Sequence, residues 1–365
     1  MSDSRRVYRG IKTSLRQLFP KQLNGHQARH LDTLSGMISG IVLNKQCHLE
    51  AMARKAPDGS KVESRVKRFS RYLQNEKVTV EVYYLPFVEL LLAALALIGP
   101  LVLVIDGSEI GRNCLALMVS VIYKGRALPV VWKVVQGSKG HFPEQSHLEL
   151  LAQVKAIVPT EADVIWLGDG EFDGLQFQAA IQEADWHYVF RTAQNRLVCD
   201  QDEWLQLNEL GLQPGDWREL TEVGFTQHAY GPVLVVAWWA VDYKEPLYLV
   251  SNFELGQEAC FWYRKRFRIE TFFSDQKSRG FQLHKSHLAD PDRLSRLLIA
   301  TCLAYLWLVY LGVVALRDQW LKLVHRTDRC DLSLFQLGFR LLDHFLNECL
   351  PIPFRFSIPP SFSVR

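Results

Sequence analysis

Residues 101–107 read Leu101-Val102-Leu103-Val104-Ile105-Asp106-Gly107, and residues 164–170 read Val164-Ile165-Trp166-Leu167-Gly168-Asp169-Gly170. Each is a short apolar run closed by Asp-Gly, the pattern of a buried strand that ends in a turn. Both aspartates are therefore expected at the carboxyl ends of strands, the edge of an open α/β sheet where ligands collect. Neighbouring strands lie about 4.8 Å apart, so carboxylates on adjacent strands can come within reach of one hard cation. Taken singly, Asp before Gly is also an ordinary turn.

Outward from this pair, Cys114–Tyr123 and Ala127–Val135 are β-rich runs joined by Lys124-Gly125-Arg126, a short hairpin loop. A polar loop, Gly137–Glu144, leads to a helix near His147–Ile157. After Asp169 come a helix near Leu175–Ala184 and a strand at Tyr188–Arg191. Three strands in a meander, then helix, strand, helix, strand, is the element order of a ribonuclease H-like fold. The expected class is thus α/β: a ribonuclease H-like mixed sheet with a β-rich insertion, an N-terminal all-helical domain and C-terminal helices. The expected division is 1–80 helical, basic and DNA-binding, 81–191 the first part of the core, and 192–256 the insertion, with β-prone pieces at Val233–Val241 and Leu247–Val250. Residues 257–320 complete the core, and 321–365 form a helical region and proline-rich tail suited to dimer contacts.

Within residues 1–80, Leu31, Leu34, Ile38, Ile41 and Val42 stand at helical spacing. The breaker Pro57-Asp58-Gly59 precedes Ser60-Lys61-Val62-Glu63, a capping-box pattern that opens a new helix. Val62, Val66, Phe69 and Leu73 are expected to face inward, with Arg65, Lys67, Arg68 and Arg71 around the remaining surface. Such a basic amphipathic helix suits DNA contact or a grip on the rest of its own chain.

The chain has 365 residues, 48% hydrophobic and 22% charged. It is longer than one typical domain and able to bury a sizeable core, which excludes wholesale disorder. Seven scattered cysteines, none in a Cys-x-x-Cys pair, argue against a zinc ribbon or a secreted disulfide scaffold. Polar residues with Arg5, Arg6, Arg9 and Lys12 stand where a signal peptide would be apolar. The net charge of +3 conceals asymmetry: residues 1–80 carry 16 Lys/Arg against 6 Asp/Glu, residues 143–260 carry 5 against 20, and residues 262–300 carry 9 against 4. Basic blocks flanking an acidic one suggest a polyanion partner. Of two long apolar stretches, Leu90–Ile105 is split by Gly99-Pro100, and Leu297–Leu316 reads either as a membrane span or as a helix buried all round in a large core.

Between Phe261 and Arg279 lies a helix-compatible segment, with Gly280 placed to cap it. At about 100° per residue, Tyr263, Arg266, Glu270 and Lys277 fall within roughly 60° of one face, beside an apolar face of Trp262, Ile269 and Phe273. A carboxylate flanked by Tyr, Arg and Lys suits a metal ligand among phosphate-holding groups, with a salt-bridged surface helix as the plainer reading.

Tyr263-x2-Arg266-x3-Glu270-x6-Lys277 resembles the Y-R-E-K motif of bacterial insertion-sequence transposases, the insertion-sequence-four branch of the DDE transposases. Asp106 and Asp169 resemble the first two acidic positions of that family, and Lys61–Leu73 its N-terminal region. The resemblance implies that Asp106, Asp169 and Glu270 are catalytic and ligate two Mg2+ ions, with Mn2+ able to substitute. It implies a cytoplasmic, nucleoid-associated bacterial enzyme that binds the terminal inverted repeats of an insertion sequence, cleaves and transfers strands in cut-and-paste transposition, and acts as a homodimer on double-stranded end and target DNA, not on membranes. Arg266, Lys277 and Tyr263 are then DNA-holding residues, as are Arg65, Lys67, Arg68 and Arg71 on the N-terminal helix.

The alternatives are a ribonuclease H-like nuclease without strand transfer and an inactive DNA-binding derivative. Several weaker signals stay secondary: Glu171 and Asp173 as partners of Asp169 in a general acid/base dyad, His284-x2-His287 as a metal pair on a helix, and Ser108 and Ser138, which lack nucleophile context. Gly137-Ser138-Lys139-Gly140 is too short for a phosphate loop. Trp217, Trp238 and Trp239 in the insertion read as core.

Overall fold

The computed structural model describes residues 2–19, 23–137, 141–326 and 330–356, so Ser138 and the end of the proline-rich tail lie outside the described residues. Six helices come first: α1 (Asp3–Gln17), α2 (Gly25–Asn44), α3 (Leu49–Lys55), α4 (Val62–Gln74), α5 (Val80–Tyr83) and α6 (Leu85–Ala96). The core follows as β1 (Leu101–Gly111), β2 (Cys114–Tyr123), β3 (Arg126–Gln136), α7 (Glu144–Ile157), β4 (Val164–Gly168), α8 (Leu175–Gln182) and β5 (His187–Arg191). Then come β6 (Leu197–Asp200), β7 (Glu203–Gln206), β8 (Trp217–Phe225), β9 (Tyr230–Trp238) and β10 (Leu247–Ser251). The chain closes with α9 (Gly256–Tyr263), α10 (Arg268–Gln276), α11 (Pro291–Arg317), α12 (Leu321–Val324) and α13 (Leu334–Asn347).

All ten strands form one sheet in the order β3-β2-β1-β4-β5-β10-β9-β8-β6-β7. The half β3-β2-β1-β4-β5 is an antiparallel meander followed by two strands parallel to β1 and reached through helices, which is the ribonuclease H-like arrangement expected. The strands of residues 192–256 continue that sheet: β10 pairs antiparallel with β5 through Leu249–Arg191, and β9, β8, β6 and β7 follow outward.

Three local expectations are corrected. Asp106-Gly107 is not a turn. β2 goes on pairing beyond the apolar run, Asp106 with Met118 and Glu109 with Leu115, so β1 extends to Gly111 with Asp106 in its middle. The helix of the basic segment starts one residue later than the capping box requires. Lys61 is its N-cap, without a side-chain cap, because the Ser60 hydroxyl and N–H both turn back to Asp58 Oδ1. Inside that helix Phe69 and Leu73 are buried as expected, and Tyr72 joins them. Phe261–Arg279 is not one helix: α9 ends at Tyr263, Lys265, Arg266 and Arg268 make tighter i→i−3 backbone bonds, and α10 stops at Gln276.

α11 is long and apolar enough to cross a membrane, but its most apolar window is wholly buried inside the fold. It packs against α13, α2, α4 and β3, so the N-terminal helices, the sheet and the C-terminal helices share its surface. Arg296 on α11 donates to the carbonyls of Val78 and Leu73. The α11–α13 crossing is close because both helices present glycine: a Cβ at Gly312 would collide with the Leu334 carbonyl, and one at Gly338 with that of Leu308.

Candidate active site

β1 and β4 run parallel from Leu101–Val164 to Val104–Leu167. The same offset carried two residues further sets Asp169, just past the end of β4, level with Asp106. The pairing register thus makes neighbours of two aspartates far apart in sequence. Asp106 Oδ1 accepts the Gly107 N–H at 2.7 Å, and Asp169 Oδ1 accepts the Glu171 N–H at 3.0 Å. Burial, reinforced by the charge of Asp169, pushes the Asp106 carboxyl up to about 7, although Arg266 pulls the other way.

Arg266 lies in the turn between α9 and α10, with Nη1 3.5 Å from Asp106 Oδ2 and Nη2 2.8 Å from Glu270 Oε1. One guanidinium therefore bridges the buried aspartate and the glutamate on α10. Glu270 is 59% exposed, against 16% for Asp106. Its charge still raises the Asp106 carboxyl, but it turns to Arg266 rather than meeting the two aspartates. Among the described residues no three His, Cys, Asp or Glu side chains are close enough together to hold one ion. The donor chemistry nevertheless suits a hard divalent cation. All three acids are carboxylates, and the space between Asp106 and Glu270 is already bridged by a positive group, the guanidinium.

The other two motif residues reach the same place from either side of the broken helix. Lys277 caps the C-terminus of α10 and donates from Nζ to Ser108 Oγ at 2.7 Å, two residues along β1 from Asp106. Burial lowers its ammonium pKa, and the charges of Glu109 and Asp106 partly restore it. Tyr263, at the end of α9, has its hydroxyl pushed up to about 12 by burial and lies within electrostatic reach of Arg266, Arg191 and Asp169. The face-sharing expected of a continuous helix is thus met by two short helices that bend around Arg266. Gly280 does not serve as a left-handed cap. It is buried where a Cβ would strike the Asp275 carbonyl and the Phe335 ring.

Two further residues join the site. Ser108 shares the face of Asp106 by strand alternation, which appears only because β1 runs on past Asp106. Arg191 ends β5, parallel to β4, and pairs with Glu245 Oε1 at 2.8 Å. With Asp169, Glu171, His141 and Thr192 it lines a cleft of about 440 Å³. The carboxyls offered as dyad partners of Asp169 are engaged elsewhere: Glu171 accepts from the Phe142 N–H, and Asp173 is buried against Arg196 and Thr192. His284 and His287 do not share a helix. His284 lies in a three-residue 3₁₀ turn, and His287 Nδ1 meets Arg112 at 2.9 Å. Trp217 is 37% exposed rather than core, 5.9 Å from the Trp238 ring.

The N-terminal basic residues divide. Arg65 binds the Ala56 carbonyl and Arg68 pairs with Asp58 at 2.7 Å, so both hold the 56–60 loop. Lys67 and Arg71 are exposed, and Arg71 lines a cleft of about 460 Å³ with Arg29 and Arg68.

A family model described as a transposase DDE domain matches residues 99–307, from the start of β1 into α11. The chain belongs to the DDE transposase family. As such it is a transposase, and members of this family use divalent metal ions. No curated protein matches the chain. Among solved structures, the piggyBac transposase synaptic complex with hairpin DNA, seen by cryo-electron microscopy, is 11% identical with a TM-score of 0.48, over 95% of this chain and 80% of that one. The catalytic domain of human Endonuclease V is 14% identical with a TM-score of 0.27, over 62% of this chain and 93% of that one.

Proposed function

We propose that this transposase belongs to the insertion-sequence-four, Y-R-E-K branch and moves its element by cut-and-paste, binding terminal inverted repeats and then cleaving and joining DNA strands in the bacterial cytoplasm. What supports the reading is that Asp106 and Asp169 stand level on adjacent parallel strands, that Arg266 bridges Asp106 to Glu270, that Lys277 reaches Ser108 two residues along β1, and that Tyr263 lies within electrostatic reach of Asp169. Asp106, Asp169 and Glu270 are the residues that would hold two Mg2+ or Mn2+ ions, Glu270 by leaving Arg266. A pair of such ions activates the attacking oxygen and stabilises the leaving oxygen of an in-line phosphoryl displacement.

The chain's own groups supply the rest. Arg266, released from Glu270, offers a planar fork to a phosphate, and Lys277 a point charge. Tyr263, kept neutral by burial, donates a hydrogen bond beside Asp169. In this reading residues 1–80 serve DNA binding, with Lys67 and Arg71 free to meet phosphates while Arg65 and Arg68 support the loop before their helix. The acidic insertion shapes the site, and the C-terminal helices serve a dimer spanning two ends.

The test uses duplexes carrying the inverted repeats that flank the coding region, incubated with the protein and Mg2+. Cleavage at the repeat ends, and joining of precut 3′-hydroxyl ends to a target, is the expected result. Cleavage without joining identifies a nuclease, and binding with neither identifies an inactive derivative.

A further inference from the structure

The last turn of α10 carries a buried charge that the acid site does not use. Asp275 Oδ2 lies 3.1 Å from Nη1 of Arg126, the first residue of β3, and the two side chains are only 4% and 16% exposed. Asp275 shares a helix face with Phe272 three residues before it, whose ring centre lies 5.1 Å from that of Tyr305 on α11. The Tyr305 hydroxyl is within electrostatic reach of both partners, so the ion pair is buried where α10, β3 and α11 meet. Burial pushes the Asp275 carboxyl up to about 6, although Arg126 and Arg279 oppose this. A pair held at that cost is a poor source of stability, since apolar residues of similar size often replace buried ion pairs without loss. Two residues on, Lys277 has left helical geometry, with φ −97° and ψ −114°, so the helix no longer dictates where its side chain points. The chain then doubles back: the Phe281 N–H donates to the Asp275 carbonyl at 3.1 Å and the Gln282 N–H to the Lys277 carbonyl at 2.8 Å. The end of α10 is thus tied to two strands on either side of β2, to β3 by Asp275 and to Ser108 on β1 by Lys277.

We infer that Arg126 and Asp275 are positioning residues, a buried clamp between β3 and α10 that sets Lys277 against Ser108, two residues along β1 from Asp106. Apolar contacts between a helix and a sheet tolerate a small slide, because burial is nearly the same before and after it. An ion pair in the core does not, since either charge moved off its partner is left buried and unpaired. The clamp fixes α10 at Asp275, and the turn that follows carries this fixed position to Lys277. The inference rests on the DNA-processing reading only for the use made of Lys277; where Lys277 stands is read without DNA.

The test compares the full-length protein with Arg126→Met plus Asp275→Leu, an apolar pair of similar size that removes both charges and strands neither. The readout is the titration of the Lys277 ammonium, followed by NMR on protein carrying isotopically labelled lysine, with the signal assigned by its loss in Lys277→Arg. In the parent, burial holds this pKa below the ordinary lysine value. The apolar pair should melt at or above the parent, yet return Lys277 toward about 10.4, the value of a solvated lysine. Arg126→Lys should keep Lys277 low, because the contact with Asp275 is a single nitrogen–oxygen approach that an ammonium can also make. A Lys277 pKa unchanged by the apolar pair overturns the inference and leaves the ion pair a support of the fold alone. Should that variant fail to fold, Asp275→Asn is titrated in its place. Its stranded Arg126 charge can only lower Lys277, so a rise still reads release, and no rise overturns the clamp. Binding of the flanking inverted-repeat duplex across a salt series is scored in parallel. If Lys277 is released and the slope of log affinity against log salt falls by about 0.9, for one duplex phosphate, clamp and DNA reading both hold. If Lys277 is released and the slope is unchanged, the clamp holds and the use of Lys277 on phosphate is wrong.

Discussion

Asp106→Asn should make the metal-free protein more stable, and the size of the gain should depend on pH in a particular direction. The Asp106 carboxyl stands at about 7 in the fold against 3.8 for an ordinary aspartate, because burial and the neighbouring Asp169 charge oppose its ionisation. A carboxyl whose folded pKa is raised favours the fold only while it is protonated in both states. That contribution is complete below about pH 4 and disappears as pH rises through 7. At about 1.4 kcal/mol per unit, the ionised carboxylate costs about 4 kcal/mol above pH 7. Its side chain is only 16% exposed, so solvent screening removes little of this. Asparagine carries no charge to bury, although it weakens the Arg266 contact, so about 4 kcal/mol is the ceiling of the gain. Melting of both proteins in chelator from pH 4 to pH 8 is the assay. The curves should nearly coincide at pH 4 and separate by several degrees at pH 8, and Mg2+ should raise only the parent protein. A difference that stays constant across this range would refute the argument that Asp106 is a buried, charge-crowded carboxyl.

The remaining expectations concern the site's neighbours and its support. If Glu270 holds metal as proposed, Glu270→Gln, which keeps shape but removes the carboxylate charge, should abolish Mg2+-dependent cleavage while end binding, read by gel shift, stays within a few-fold. Arg266→Ala with Lys277→Ala should weaken DNA binding and flatten its salt dependence, by about 0.9 in slope for each duplex phosphate no longer neutralised. An unchanged slope in that double variant would remove this face from the DNA. Gly338→Ala forces a methyl against the Leu308 carbonyl, so the α11–α13 crossing must open. Such overpacking costs about 1–3 kcal/mol, to be read in chemical denaturation, with cleavage per folded molecule unaltered.

The Asp106 penalty and the packing of α11 belong to one design. A site that crowds carboxylates destabilises its own surroundings, and here those surroundings are anchored on a helix buried along its apolar length. β3 packs on α11, β1 lies two strands away, and α10 contacts both strands. The charged site is therefore built on elements with large apolar contact, which limits how far its acids and cations can relax apart.

Periodicity and punctuation were enough to assign the meander, the later parallel strands and the helices between them, because an apolar run with turn residues at its ends is a local property. They also singled out the two aspartates and the Tyr-Arg-Glu-Lys series. What they could not set was partner-dependent. Asp106 lies within β1 rather than at its end because β2 goes on pairing past it, and a hydrogen-bonding neighbour leaves no mark on the residues it pairs with. The break between α9 and α10 and the turn of Glu270 onto Arg266 depend on what those side chains meet across space. The joining of the insertion to the main sheet likewise depends on the free edge that β5 offers to β10. The linear chain thus determined which chemical groups the protein owns and which short segments carry them. Only tertiary structure decided which groups face one another, because long-range pairing and burial select among local conformations of nearly equal energy.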